Sequence, residues 1–75
     1  MIYEFEQGQR YRVLLVLDNF MGRLATASNI ESRLGEFGLR GVATKNGPGN
    51  FTVEGTWTLP TRQVSHPYMR RVTKL

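Results

Sequence analysis

Arg12-Val13-Leu14-Leu15-Val16-Leu17 is the stretch on which the reading of this chain turns. It is β-branched and leucine-rich, and apolar at consecutive positions rather than alternate ones. Such a run suits a strand covered on both faces, or one central in its sheet. Directly behind it, Asp18-Asn19 offers two side chains able to cap a first helical turn. Phe20, Leu24, Ala27, Ile30, Leu34 and Phe37 then recur at steps of three or four, which predicts one main helix over about residues 20–37. Gly22 weakens its first turn, and Ser28-Asn29-Ile30-Glu31 matches a capping box, so the regular helix could begin at Ser28. Gly38 supplies the left-handed exit.

Beyond the helix, residues 39–46 and 50–59 flank Gly47-Pro48-Gly49, a breaker cluster that reads as a hairpin turn. The second arm turns Phe51, Val53 and Gly55 to one side, and Trp57 joins their face. Pro60 ends it, since proline cannot donate to a ladder. At the start, Ile2-Tyr3-Glu4-Phe5-Glu6 alternates ahead of Gln7-Gly8-Gln9. It reads equally as one arm of a hairpin and as one long strand entering the core at Tyr11. Residues 61–75 fit a short helix or a strand; Pro67 at a first helical position favours the helix, with Tyr68, Val72 and Leu75 on one face. The expected fold is therefore α+β. It is a two-layer small domain with one main helix on a three- to four-stranded, mostly antiparallel sheet, a βαββ core that is partly ferredoxin-like. Residues 1–75 form a single domain with a basic C-terminal segment, 59–75.

Charge is distributed unevenly. The chain has 75 residues and a formal charge of +4. Residues 1–58 hold six basic and six acidic side chains and are formally neutral. The whole excess lies in Arg62, Arg70, Arg71 and Lys74, with His66 and Tyr68 among them and no acid. Arginine suits bidentate phosphate contacts, and an interleaved aromatic can stack on a base. Arg62, His66, Tyr68, Arg70, Arg71 and Lys74 are accordingly the candidate binding residues, with Arg10, Arg12 or Arg40 helping if the sheet presents them on the same side.

Much enzyme chemistry lacks its residues. With no Cys there is no thiol nucleophile and no Cys-based zinc site, and one His excludes His-rich metal clusters. Ser65-His66 are adjacent, with no acid after Glu54 to orient a base. Glu4, Glu6 and Glu54 could meet if the N-terminal segment paired with the second hairpin arm, but a domain of this size encloses no sugar cleft. Gly47-Pro48-Gly49-Asn50 lacks the lysine and following helix of a phosphate loop. Asp18 follows the core strand, and Tyr11–Asp18, the helix and then Phe37-Gly38-Leu39-Arg40 resemble the small CRISPR-associated nucleases, which carry an aspartate after a first strand. The peptidoglycan-binding SPOR domains share a similar strand-helix-hairpin order. The likeness covers roughly half of the chain, and the second half of neither family fits. It leaves a metal-dependent nuclease using Asp18 as a remote alternative to Asp18 as a helix cap.

Function is thus expected to be non-enzymatic, with no cofactor, no metal and no small-molecule substrate. The first reading is a protein-interaction or assembly module, a phage-type accessory protein or inhibitor, in which Tyr3, Tyr11, Tyr68 and Trp57 anchor the contact. The alternative is a nucleic-acid-binding module contacting phosphates through residues 59–75. Homodimerisation is one way to cover an open sheet face or edge. The longest apolar run is far short of the roughly 20 residues of a membrane span. The acidic start, Met1-Ile2-Tyr3-Glu4-Phe5-Glu6, is unlike a secretory leader, which places the chain in the cytoplasm or a virion.

Overall fold

The central strand of the sheet is built from the apolar run itself. A computed structural model describes residues 2–75, and the side chains of Asn19 and Phe20 and the surroundings of Gly22 lie outside what it describes. In it β1 (Tyr3–Phe5), β2 (Arg10–Val16), α1 (Asn19–Leu24), α2 (Ala27–Phe37), β3 (Leu39–Gly47), β4 (Asn50–Trp57), β5 (Arg62–Val64) and β6 (Met69–Lys74) follow one another. Four strands form one sheet in the order β3-β4-β2-β6, with every neighbouring pair antiparallel, and β1 pairs with β5 in a separate two-stranded ladder. The molecule is an α+β domain in which α2 packs on β3 of a four-stranded antiparallel sheet.

Strand β2 is flanked by β4 and β6, as its unbroken apolar character predicts. Tyr11, Val13 and Leu15 point to the buried inner face, while Leu14 and Val16 lie half-buried on the outer one. Strand β4 alternates strictly, with Phe51, Val53, Gly55 and Trp57 inward. The turn at Gly47–Asn50 and the end of the strand before Pro60 follow the sequence reading. Gly38 leaves α2 at φ 126°, a conformation that side chains rarely tolerate, and its N–H closes the helix on the Leu34 carbonyl.

Four expectations are corrected. The final segment is a strand, not a helix: β2 has an open edge there, Val13 pairs with Val72, and burying Val72 and Met69 beside β2 outweighs a proline-started helix. Pro67 sits in the turn before the strand, where the Tyr68 N–H donates to His66 Nδ1 at 3.2 Å. The N-terminal segment neither forms a hairpin with β2 nor extends it. The chain turns at Gln7-Gly8, and β1 crosses to β5 because Phe5 finds Trp57 there. The helix is broken at Ala25-Thr26. The Thr26 hydroxyl caps α2 by accepting from the Asn29 N–H, and Glu31, the far end of the expected capping box, instead accepts from the Ala43 N–H on the β3 edge at 2.9 Å. That contact also covers an unpaired group of an edge strand. Finally, Leu24 is not core but exposed, whereas Ile30 is buried and Ala27, Leu34 and Phe37 pack around the core. Asp18 stands at the N-cap of α1 without a side-chain capping bond.

At the Trp57 end the inner face is filled by rings. Phe5 stacks on Trp57 at 4.8 Å, Tyr11 meets Phe5 edge-on at 4.8 Å and Phe37 meets Trp57 edge-on at 6.0 Å. The indole N–H donates to the Pro60 carbonyl and the Glu6 N–H to the Tyr11 hydroxyl, so both polar tips are satisfied on burial. Beside them β3 and β4 touch at Gly41 and Gly55, where a Cβ on Gly55 would lie 2.5 Å from the Arg40 carbonyl oxygen. Gly55→Ala is therefore expected to cost about 1–3 kcal/mol of stability through overpacking. Gly35→Ala, in the middle of α2 with only the Arg40 guanidinium 4.0 Å away, should gain about 0.5–1 kcal/mol. Urea denaturation of the two variants checks the opposite signs.

Candidate functional site

The six candidate residues do not share one surface. Arg62, in β5, lies over the rings of Phe37 and Trp57 at 5.5 Å from each, with its charge on an aromatic face. His66 and Tyr68 follow, their rings 5.4 Å apart, and His66 meets Phe37 edge-on at 6.1 Å. The Tyr68 carbonyl accepts from the Val16 N–H, which fixes it at the rim of the sheet. Arg70 is the extra residue where β6 bulges against Leu14 and Leu15, and its guanidinium donates to the Pro67 carbonyl. Arg71 lies opposite Leu14, on the outer face. Lys74 is paired with Glu6 at 3.3 Å. The basic segment is a sequence cluster that a β-strand divides between two sides, because successive strand side chains alternate. Tyr11 and Trp57, expected at an interface, are buried in the aromatic cluster.

What converges instead is apolar. Between α1, α2 and the rim formed by the ends of β2 and β6 runs a groove of about 510 Å³. Leu15, Leu17, Ile30, Leu34, Phe37 and Met69 are among its lining residues. Met21 and Leu24 from α1 form its outer lip, 68% and 63% exposed. Arg33, Glu36, His66 and Tyr68 bring the polar groups to it. The groove exists because α2 leans on β3 and leaves the β2–β6 half of the inner face partly open. Lys45 holds the α1–α2 break in place by donating to the Arg23 and Ala25 carbonyls. Sequence reasoning assigned Leu24 to the core stripe and so hid the lip. The signal was Thr26, a good cap residue inside the helix pattern.

Asp18 has no group of three His, Cys, Asp or Glu side chains able to hold a metal around it, nor does such a group occur elsewhere among the described residues. Glu4, Glu6 and Glu54 do not meet: Glu4 lies in β1 against β5, Glu6 pairs with Lys74, and Glu54 pairs with Arg12 at 2.9 Å on the outer face. No helix of the described residues is long and apolar enough to cross a membrane.

A cation held on two aromatic faces at an exposed site contributes about 0.5–1 kcal/mol. Arg62→Ala should lower stability by about that amount in urea denaturation, with Arg62→Lys between it and the parent. Compared with protein-family models, curated proteins and solved structures, the chain gives no match to any of them.

Proposed function

We propose that this protein is a non-enzymatic protein-interaction module whose groove takes the apolar face of an amphipathic helix from a partner protein. The observation that carries the reading is the lip: two large apolar side chains of one short helix stand more than half exposed beside an open apolar groove. Surface apolar residues scattered singly need no explanation, but a contiguous apolar groove rimmed by polar groups marks a contact site. A helix laid in such a groove is read through anchors at i, i+3/i+4 and i+7. The methionines Met21 and Met69, on opposite walls, have the flexible side chains that fit a groove to its occupant.

The rim selects among helices by charge. Arg33 stands at the groove and Arg62 lies on Phe37 at its end, against the single carboxylate of Glu36 among the lining residues. An occupant with acidic residues beside its apolar anchors complements that rim and a basic one does not. The candidate segment thus contributes Arg62, His66 and Tyr68 to this contact, and the others serve elsewhere. We also read the order β3-β4-β2-β6, with α2 joining β2 to β3, as a split βαβ arrangement of the ferredoxin-like kind. The stretch from β5 to the Pro67 turn stands where that fold has its second helix, and the groove opens where this helix would lie.

Selection of helix-forming peptides from a random library on the immobilised protein tests the reading. The expected binders carry apolar residues at helical spacing with acidic flanks, and lose at least about tenfold in affinity to Met21→Glu or Leu24→Glu, a change of about 1.4 kcal/mol. Both substitutions are at exposed positions and should leave the denaturation midpoint nearly unchanged. Binders indifferent to both substitutions would refute the groove as the contact.

A further inference from the structure

We propose a second binding surface, beyond the groove: the outer face of the sheet holds the phosphate backbone of single-stranded nucleic acid through Arg10, Arg12 and Arg71. The register places them together. Arg10 and Arg12 are two residues apart on β2, about 7 Å along the strand, and Arg71 stands opposite Leu14 on the adjacent strand. The three residues therefore stand on one face along a diagonal from β2 to β6. Thr73 faces Arg12, and Thr52, Thr56 and Thr44 continue the same side across β4 and β3. Arg40 starts from this face at the β3 edge, but its guanidinium turns back toward Gly35 of α2.

No described helix or strand covers this face. Both helices and the β1–β5 ladder pack on the inner side, and Val42 on the outer side is 66% exposed. Glu54 is the one carboxylate the register puts there, and it is held by Arg12 in an exposed pair, which a competing phosphate displaces at little cost. Arg10 and Arg71 have no carboxylate partner among the described residues. Guanidinium and hydroxyl donors with little negative charge are the groups that contact phosphate oxygens.

Two features choose the occupant. An acidic protein surface would match the charge, but protein hot spots set Arg beside Tyr and Trp, and the aromatics of this sheet, Tyr11, Phe51 and Trp57, all point inward. A duplex would meet this face only along its phosphate ridges, because its major groove is about 12 Å wide and takes a two-stranded ribbon. Four strands at about 4.8 Å spacing are too broad. A flexible single strand laid across the face meets the arginines without either requirement. Without exposed rings there is no base stacking, so the contact is sequence-tolerant and salt-sensitive.

Fluorescence anisotropy with a labelled oligothymidylate tests this on the full chain. Three phosphate contacts at about −0.7 each predict a log–log salt slope near −2, or roughly a 60-fold loss of affinity over an eightfold rise in salt. Arg10→Gln with Arg71→Gln should reduce the slope to about −0.7, whereas Arg23→Gln in α1, which removes charge elsewhere, should leave it near −2. No binding at low salt would overturn the proposal. So would a slope unchanged in the double variant, or a preference for polyglutamate over the oligonucleotide, which would assign the face to an acidic protein.

Discussion

The stack of Phe5 on Trp57 is the contact on which the rest of this structure depends. Both rings are almost wholly removed from water, and Tyr11 and Phe37 close around them edge-on. A chain of this size buries a smaller fraction of its surface than a larger domain does, so its core is thin. Here the aromatic mass is concentrated at one end of the inner face. It recruits the N-terminal strand away from β2, brings β5 to meet it and provides the surface on which Arg62 rests. Each ring pair adds about 0.5–1.5 kcal/mol beyond its burial, a large share of the stability of so small a domain.

The consequence at the other end is an opening. With β1 and β5 committed to Trp57, the inner face over Leu15, Leu17 and Met69 is left to α1 and α2, and a groove runs between them and the sheet rim. The same economy leaves the outer face of the sheet bare. A helix layer on one side, with no second layer, exposes whatever the alternate residues of β2 and β6 happen to be, and these include three arginines. Two surfaces of opposite chemistry, one apolar and one cationic, thus stand back to back across a single sheet. On the two proposals taken together, the protein would bring a protein partner to a polyanion.

Where the sequence was legible, one physical signal acted locally. The apolar run of β2, the strict alternation of β4, the glycine–proline turn and the glycine exit of α2 all appear where periodicity and backbone preference put them. What escaped was decided by long-range pairing. Residues 69–74 carry a pattern compatible with helix or strand, and only the open edge of β2 settles which. Tyr3–Phe5 alternates like a hairpin arm, but Trp57 lies fifty-odd positions away and sets its partner. The candidate site suffered from the same limit. Four cations close in sequence look like one patch, yet alternation, a bulge and an ion pair with Glu6 send Arg62, Arg71 and Lys74 to separate places. Conversely Arg71 joins Arg10 and Arg12, from which it is remote in sequence, through register alone.

Side-chain NMR tests whether the sheet separates two independent surfaces. The ε-methyl groups of Met21 and Met69 report on the groove, and the Nε–H groups of Arg10 and Arg71 report on the outer face. Saturation with a helical peptide carrying apolar anchors should shift both methyl signals and leave the two arginine signals in place. Shifts of the arginines with unmoved methyls would show that the peptide binds the outer face and not the groove.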